Sequence, residues 1–391
     1  MRRIGVATFA RSEYSTCLPL LRAIRADAEC QLHLLVSGTH LSSAFGETVK
    51  EIEADGFTIN DRIEMRVSSD TPEGVAESNG WGTIGFAHSF ARCRPDLLLL
   101  VGDRLELLAA ASAALPFGIP IAHLSGGDAT EGALDNQVRH AMSKLSHLHF
   151  VAMPAHAHRL KQMGEEAWRV FVTGDPALDL VHQVQLLPRD ELGQRLGLGL
   201  ASPLLIVSFH PTTLGSVSVH DELESVLAAL TGVHGTLIFT YPNADTGSRT
   251  IIARLQEFTS AHPHTALFFN LGQLKYYSLM AQADLMVGNS SSGIWEAPTF
   301  RLPVVNVGER QRGRVRAGNV IDVPPDPAAI HQAIQQGLQP TFRASLHDLQ
   351  NPYGDGQAAP RILGTLKHIE LDTRLLQKRF ADLPIVHGEQ P

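Results

Sequence analysis

The densest group of chemically active side chains lies at residues 123–149, in the stretch HLSGGDATEGALDNQVRHAMSKLSHLH. This stretch follows an apolar run typical of a strand, opens on a histidine and a glycine pair, and then places acids and bases at short intervals. Asp135 and Arg139 are four residues apart, so a helix over this region presents both on one face. Carboxylates beside arginine and histidine suit proton transfer, because such surroundings let one acid stay ionised while another stays protonated.

The acids of this stretch also fit simple helix capping, since carboxylates are stabilised at a helix start. The residues before the helix, His123, Gly126 and Gly127, favour an active site, because glycines let a bound group approach the backbone closely. The chain shows no nucleophile elbow, no Ser-His-Asp order and no convincing metal-ligand spacing. Proton transfer is therefore the chemistry that the sequence supports best.

A second candidate site is the turn GNSSSG at residues 288–293. Glycines and hydroxyl side chains at a helix start offer hydrogen-bond donors to an anion. The turn matches neither GxxxxGK[ST] nor GxGxxG, so ATP hydrolysis and a dinucleotide cofactor have no support. Glu296 is placed to accept hydrogen bonds from a ribose diol, and His210 and Arg310 could face a diphosphate from neighbouring loops. A serine-rich helix cap without a ligand is the alternative interpretation.

The elements that must position these residues form two alternating series of strands and helices, a pattern typical of parallel sheets with crossover helices. Strands are predicted at residues 4–9, 32–37, 97–102, 119–124 and 149–152, and then at 204–209, 235–240, 266–270, 285–288 and 304–307. Helices are predicted at residues 15–27, 41–55, 71–94, 105–115 and 135–146, and then at 220–231, 246–262, 274–282 and 293–300. A break at residues 176–203 is the candidate hinge.

Each series is long enough for its own core, so we predict an α/β protein of two doubly wound Rossmann-type domains. The N-terminal domain is expected at residues 1–176, the C-terminal domain at residues 177–371, and a tail at residues 372–391. Ligands of such domains bind beyond the carboxyl ends of the strands. Almost every unusual polar cluster of this chain follows a predicted strand, which predicts the two walls of a cleft.

Composition excludes several classes of protein. A length of 391 residues allows two or three domains, and a net charge of −8 argues against nucleic acid or an anionic membrane as the main partner. Three cysteines without CxxC spacing favour a reducing compartment. The first apolar run is too short for a signal peptide, and no run approaches the ~18 apolar residues of a membrane span. We therefore expect a cytoplasmic protein.

The chain resembles the UDP-N-acetylglucosamine 2-epimerase family, and within it the hydrolysing branch that includes the sialic and legionaminic acid pathway enzymes. The resemblance runs from about residue 3 to residue 366. It is carried by the segments RSEY (11–14), GTHL (38–41), GDR (102–104), the stretch 123–149, HP (210–211), PNADTGS (242–248), GNSSS (288–292), YGDG (353–356) and APRI (359–362).

The resemblance implies a GT-B-like fold, with two Rossmann-type domains facing a nucleotide sugar across a central cleft. Family members remove the C2 proton and eliminate UDP across C1–C2, giving a 2-acetamidoglucal; hydrolysing members then add water and release the C2-epimeric free sugar. The implied UDP-binding positions are Arg11, Ser15, Arg104, His210, Asn243, Ser290, Ser291, Glu296 and Arg310. The implied catalytic positions are Asp103, Asp135, Glu13, Glu131, His123 and Arg139. Asp103 and Asp135 are the candidates for moving protons, and which carboxylate is the base stays open.

We expect conversion of UDP-N-acetylglucosamine to N-acetylmannosamine and UDP. The alternative is hydrolysing 2-epimerisation of UDP-2,4-diacetamido-2,4,6-trideoxyglucose, because Ser125 and Glu131 depart from the pattern of relatives. A non-hydrolysing epimerase, a GT-B glycosyltransferase and a non-catalytic nucleotide-sugar sensor are further alternatives. We expect a UDP-linked sugar as substrate, no cofactor, no metal, a homodimer or homotetramer, and no nucleic-acid or membrane partner.

Overall fold

The computed structural model describes residues 1–43, 46–65, 71–130, 134–212, 218–242 and 248–382. The chain divides into two compact units. The first consists of Met1–Asp128, Leu134–Leu180 and the chain from Tyr353 onward, and the main part of the second is Val181–Pro352. Each unit has its own parallel sheet, which confirms the prediction of two doubly wound Rossmann-type domains.

In the described residues, the first unit contains a seven-stranded parallel sheet with the order β3-β2-β1-β4-β5-β6-β7. Its strands are β1 Arg2–Thr8, β2 Cys30–Ser37, β3 Ile59–Ile63, β4 Leu97–Val101, β5 Ile121–Leu124, β6 Leu148–Val151 and β7 Val170–Val172. The helices before the chain passes into the second unit are α1 Arg11–Ala26, α2 Val49–Ala54, α3 Pro72–Arg92, α4 Leu107–Ala114, α5 Leu134–Leu145, α6 Pro154–Gln162 and α7 Pro176–Gln183. The central strand β4, LLLLV, is buried throughout, as expected of a strand covered on both faces.

The part of the second unit that the structure describes contains a six-stranded parallel sheet with the order β10-β9-β8-β11-β12-β13. Its strands are β8 Leu204–Ser208, β9 Thr236–Thr240, β10 Thr265–Phe268, β11 Leu285–Gly288, β12 Val304–Val307 and β13 Val320–Val323. Its helices are α8 Arg189–Leu196, α9 Val219–Leu230, α10 Ser248–Ala261, α11 Gly272–Gln282, α12 Ser292–Trp295, α13 Pro327–Leu338 and α14 Pro340–Ser345. The central strands β8 and β11 are buried along their full lengths.

Three strands that the sequence did not predict lie at sheet edges. Strand β3 has the sequence INDRI, β7 is only three residues long, and β13 has the sequence VIDV. Each pairs with a neighbour on one side only. An edge strand keeps one side free, so it does not need the continuous apolar run that identified the central strands.

Two predicted helices are interrupted. Instead of one helix over residues 41–55, a 3₁₀ turn at Gly38–Leu41 precedes α2, because Gly46 and Glu47 have φ angles of 84° and 46°, which a right-handed helix excludes. The predicted helix at residues 293–300 splits into the four-residue α12 and a 3₁₀ turn at Ala297–Phe300. Pro298 lies in that turn, and proline ends an α-helix because it lacks an N–H group and clashes with the preceding turn.

The C-terminal segment differs from the predicted domain boundaries. The prediction kept residues 177–371 together and left 372–391 as a tail, whereas the structure returns to the first unit at Tyr353. Helices α15 Ala358–His368 and α16 Thr373–Leu376 follow. The Asp179 carboxylate accepts hydrogen bonds from the amides of Ala358 (2.9 Å) and Ala359 (2.7 Å), and so caps α15 from a distant part of the chain. Local sequence patterns do not reveal such a long-range cap.

None of the helices in the described ranges combines the length and apolar character that a membrane crossing requires.

Candidate active site

The order of strands reverses between β1 and β4 in the first sheet. Doubly wound sheets bind ligands at such a reversal, beyond the carboxyl ends of the strands. The segments after β1 and β4 carry Glu13, Asp103 and Arg104, and His123 lies in the neighbouring strand β5. The topology therefore brings three of the six expected catalytic residues, together with Arg104, to one edge of this sheet.

Glu13 is a buried acid in the first turn of α1, with 6% of its surface exposed. Its Oε2 accepts a hydrogen bond from the Phe9 amide at 3.0 Å, and its Oε1 lies 3.6 Å from Nε of Arg104. Burial raises the pKa of Glu13 to about 8, although Arg104 opposes the shift. The nearby acids Glu106 and Asp103 raise it further. Glu13 therefore holds its proton at neutral pH.

We expect the Glu13→Gln variant to lose a pH dependence of stability that the wild type has. The pKa of Glu13 in the folded protein lies above the ordinary value of 4.5. The contribution of Glu13 to stability is therefore full below pH 4.5 and is lost as the pH rises through about 8. The free energy of unfolding of the wild type should fall by up to about 1.4 kcal/mol per pH unit in this window. Urea unfolding at a series of pH values measures the slope.

The control is Glu51→Gln, which alters a half-exposed carboxylate on α2 that pairs with Arg11 at 3.5 Å. This variant should keep the wild-type slope. Equal slopes in wild type and Glu13→Gln would show that Glu13 is ionised in the folded protein at neutral pH.

Asp103 forms an ion pair with Arg139 of α5. The arginine side chain is 2% exposed and the aspartate side chain 27% exposed, so the pair is buried on the helix side and open on the other. Next to it, Nη2 of Arg104 donates to Oε1 of Glu106 at 2.9 Å. The loop after β4 therefore carries alternating charges, of which Asp103 is held by α5 and Arg104 by Glu106 of the same loop.

His123 is fully buried in β5. Its Nε2 donates to the carbonyl oxygen of Gly102 at 2.7 Å, directly before Asp103, while its Nδ1 has no hydrogen-bond partner in the described structure. Burial lowers the pKa of His123 to about 3, outweighing the hydrogen bond to Gly102. A Cβ on Gly126 would lie 3.2 Å from Nδ1. His123 is therefore a neutral group that orients the start of the Asp103 loop.

Asp135, Arg11 and Ser15 have less enclosed positions. Asp135 is exposed in the first turn of α5, four residues before Arg139. Burial lowers the pKa of the Arg104 guanidinium, but the nearby carboxylates of Glu106, Glu13 and Asp135 raise it by more. The Asp135 carboxylate therefore belongs to the same cluster of charges. Arg11 is exposed, and Ser15 follows one turn later on α1 in a half-buried position.

The second sheet reverses its strand order between β8 and β11. His210 follows β8 and is buried, and burial together with the nearby Arg310 lowers its pKa to about 3. His210 is therefore a neutral group. Nη1 of Arg310, in the loop after β12, donates to the carbonyl oxygen of Asn289 at 3.1 Å. The amide of His210 donates to Oδ1 of Asn289 at 2.7 Å, so the loops after β8, β11 and β12 meet at Asn289, the second residue of the GNSSSG turn.

The serine turn differs from the helix start that the sequence predicted. The hydroxyl of Ser290 accepts from the amide of Ser292 at 3.3 Å, and α12 has only four residues. A helix this short has few aligned peptide dipoles, so anion binding here would depend on hydroxyls, amides and Arg310. Tyr276 of α11 lies beside this turn. Burial raises the pKa of its hydroxyl, a hydrogen bond with Ser292 lowers this pKa, and the nearby Glu296 raises it.

Two of the expected residues, Glu131 and Asn243, lie outside the described residues. The other expected residues fall into two groups, one on each sheet edge. The first unit holds Arg11, Glu13, Ser15, Asp103, Arg104, His123, Asp135 and Arg139, and the second holds His210, Ser290, Ser291, Glu296 and Arg310. The buried Asn289 and Gln311 and the half-buried Tyr276 are neighbours that the sequence pattern did not single out, because only the packing brings them to this turn.

A doubly wound α/β protein with polar loops at both strand reversals is thus defined by the structure, and the comparisons identify its family. The model of the UDP-N-acetylglucosamine 2-epimerase family matches residues 22–367, and the chain belongs to this family. The family predicted from the motifs is therefore confirmed.

Two similar relatives have more specific names. The UDP-N,N'-diacetylbacillosamine 2-epimerase (hydrolyzing) of Legionella pneumophila is 37% identical over 378 residues, which cover 97% of this chain and 99% of the relative. The GDP/UDP-N,N'-diacetylbacillosamine 2-epimerase (hydrolyzing) of Campylobacter jejuni is 38% identical over 385 residues, which cover 98% of this chain and 99% of the relative.

A solved structure has the same fold. The UDP-GlcNAc 2-epimerase of Methanocaldococcus jannaschii, in complex with UDP-GlcNAc and UDP, matches with a TM-score of 0.76 at 18% identity, over 94% of this chain and 99% of that chain.

Proposed function

We propose that this protein is a hydrolysing 2-epimerase of a nucleotide-linked 2,4-diacetamido-2,4,6-trideoxyglucose, the sugar also named N,N'-diacetylbacillosamine. The observation that carries the proposal is the similarity over nearly the full length to the Legionella and Campylobacter relatives named for that reaction. UDP-N-acetylglucosamine, the substrate that we expected first from the sequence, has support only from the family as a whole. The diacetamido sugar, expected from the sequence as the alternative substrate, is therefore the better supported.

The position of Ser125 supports a substrate sugar other than N-acetylglucosamine. Ser125 directly follows β5 and has a φ of 69°, in the turn that leads to Gly126 and Gly127. It therefore lies at the sheet edge that carries the carboxylates. The small hydroxyl side chain at this position, which departs from the pattern of relatives, supports a substrate with an additional acetamido group.

The proposed reaction has two stages. In the first, a base removes the C2 proton, the C1–O bond breaks, its electron pair leaves with the nucleoside diphosphate, and a C1=C2 double bond forms. In the second, water adds its hydroxyl group to C1 while C2 receives a proton on the opposite face. The products are the free C2-epimeric sugar and the nucleoside diphosphate.

The first unit supplies the proton-transfer groups in this proposal. Glu13 holds its proton at neutral pH, since burial raises its pKa to about 8, and is suited to act as an acid. Asp103, held by Arg139 and partly open, and the exposed Asp135 are the candidate bases. Two acids in such different surroundings can carry out opposite proton transfers at one pH.

The second unit binds the nucleotide in this proposal. Ser290 and Ser291 offer hydroxyl donors, and Arg310 offers a positive charge to the diphosphate. His210, neutral because burial lowers its pKa to about 3, can donate or accept a hydrogen bond without adding charge. Glu296 follows α12 and is the acceptor proposed for the ribose hydroxyls.

The test is incubation of the protein with three substrates, followed by NMR of both the sugar and the nucleotide. The substrates are the UDP- and GDP-linked 2,4-diacetamido-2,4,6-trideoxyglucose and UDP-N-acetylglucosamine. We expect free 2,4-diacetamido-2,4,6-trideoxymannose and free nucleoside diphosphate from the diacetamido sugars, at a kcat/KM at least ~10-fold above that for UDP-N-acetylglucosamine, a difference of about 1.4 kcal/mol in transition-state binding.

The Asp103→Asn protein, purified in the same way, controls for contaminating activity. Release of N-acetylmannosamine with no turnover of the diacetamido sugars would return the substrate to UDP-N-acetylglucosamine. A product that keeps its nucleotide would make the enzyme a non-hydrolysing epimerase.

Turnover should not require a divalent metal. Within the described ranges, no three His, Cys, Asp or Glu side chains are grouped so that they could hold a metal ion. Arg310 and the serine turn can instead stabilise the charge of the leaving diphosphate. We expect activity to stay within experimental error of the untreated enzyme after treatment with EDTA and its removal. Activity lost on this treatment and restored by magnesium or manganese would contradict the prediction and assign a metal to the carboxylates.

A further inference from the structure

Asn289 is fully buried where β11 ends, directly after the last residue pair between β11 and β8, Gly288 with Ser208. Its side chain continues that pairing beyond the strands. Oδ1 accepts from the amide of His210 at 2.7 Å, and Nδ2 donates to the carbonyl oxygen of His210 at 2.9 Å. One side-chain amide thus provides both hydrogen bonds that a paired backbone residue would provide.

The backbone of Asn289 holds a third loop. Its carbonyl oxygen accepts from Nη1 of Arg310 at 3.1 Å and from Nε2 of Gln311 at 2.8 Å. Gln311 is itself buried, and its Oε1 accepts from Nη1 of Arg314 at 2.8 Å. The segments after β8, β11 and β12 are therefore tied together at one residue.

Because Asn289 has no exposed surface, its side chain acts on a ligand only through these neighbours. His210 and Arg310 are the two groups proposed above to face the diphosphate, and both are bonded to Asn289. The Asn289 side chain holds the backbone of His210, whose imidazole also lies 3.4 Å from the Ser208 hydroxyl, and the Asn289 carbonyl oxygen holds the guanidinium of Arg310. Loss of the Asn289 amide would release the backbone of His210 and shift the carbonyl that receives Arg310.

We propose that Asn289 is a positioning residue that sets the diphosphate-binding geometry of the second unit. This inference rests on the proposed function in one respect, that the second unit binds a nucleoside diphosphate. Asn289 contributes no charge and no ligand contact. It determines how tightly the diphosphate part is bound, while the nucleoside part is left to other residues.

The experiment is calorimetric titration of the wild type and the Asn289→Ala variant with UDP and with uridine. We expect the Kd of UDP to rise ~10–100-fold, because two buried hydrogen bonds are lost and their backbone partners are left unpaired. The Kd of uridine should change by less than ~3-fold, within the usual context dependence of a single contact. A general structural defect would weaken both ligands alike, so the ratio of the two changes is the specific readout.

The matched control is Asn319→Ala. Asn319 is also fully buried in the second unit, and its Nδ2 donates to the carbonyl oxygen of Leu302 at 2.8 Å, at the edge of the sheet where β12 and β13 begin. This variant should lose a similar part of the unfolding free energy and keep the wild-type affinity for UDP. If Asn289→Ala does not fold, Asn289→Ser, which keeps one polar atom, replaces it in the titrations.

Two failures are distinguishable. Wild-type protein that binds neither UDP nor GDP would overturn the nucleotide part of the proposed function; if it binds only GDP, GDP and guanosine replace UDP and uridine in the titrations. Wild-type protein that binds UDP, with an Asn289→Ala variant that binds UDP equally well or loses UDP and uridine to the same extent, would overturn the positioning role alone.

Discussion

Turnover should fall by ~100-fold or more in the Asp103→Asn variant, while UDP binds with near wild-type affinity. A positioned general acid or base contributes ~10²–10⁴-fold to rate, and asparagine keeps the shape of the side chain without its carboxylate. The UDP-binding residues proposed above lie mainly in the other unit, so nucleotide affinity should be spared. Steady-state kinetics with the diacetamido substrate and calorimetry with UDP measure the two quantities.

The matched control is Asp96→Asn, because Asp96 stands before β4 and Asp103 after it. Asp96 accepts a hydrogen bond from the amide of Arg3 at 2.7 Å, at the amino ends of the strands of the same sheet. The Asp96→Asn variant should change the stability of the protein and leave turnover unchanged. Near-normal turnover in Asp103→Asn would remove this residue from the mechanism. Unfolding measurements are needed beside the kinetics, because Asp103→Asn removes one charged partner of the buried Arg139.

The Asp135→Asn variant should show an equal loss of turnover with a smaller loss of stability, because Asp135 is exposed. Loss of deuterium from C2-deuterated substrate separates the two roles. Since Asp103 and Asp135 are both candidates for the base, the variant that lacks the base should block this loss, whereas the other variant should still release deuterium. Turnover near the wild-type value would exclude Asp135 as a proton-transfer group.

The Gly288→Ala variant should lose about 2–6 kcal/mol of unfolding free energy. Gly288 has a φ of 137°, and a Cβ there would lie 2.0 Å from the backbone oxygen of Ser208. Since this atom belongs to the paired strand β8, relief requires β8 and β11 to separate at their carboxyl ends. Asn289 would move with the strand, so UDP affinity should fall as well. Chemical denaturation and calorimetry with UDP measure both effects.

The Gly272→Ala variant separates conformational strain from the steric clash. Gly272 has a φ of 67°, but no atom lies within 4 Å of its hypothetical Cβ. It should therefore lose only the ~1–2 kcal/mol of a left-handed alanine. If the Gly288→Ala variant is as stable as the Gly272→Ala variant, strands β8 and β11 adjust without a cost in unfolding free energy.

The sequence by itself determined the alternation of central strands and helices and the position of the site loops. Central strands such as β4 and β8 need continuous apolar runs because both faces are buried, and such runs are readable in order along the chain. Because parallel strands share a carboxyl edge, the polar residues that follow them were expected to meet there. The family motifs supplied the residue roles, which periodicity does not contain.

Only the tertiary structure decided which of these residues are enclosed and what holds them. The burial that raises the pKa of Glu13 comes from its packing, and the neutral state of His123 comes from burial and the Gly102 carbonyl. The return of the chain at Tyr353 and the role of Asn289 depend on partners that are distant in sequence. Periodicity reports which face of an element is apolar, whereas burial and long-range hydrogen bonds depend on how the elements pack, and no local pattern encodes that.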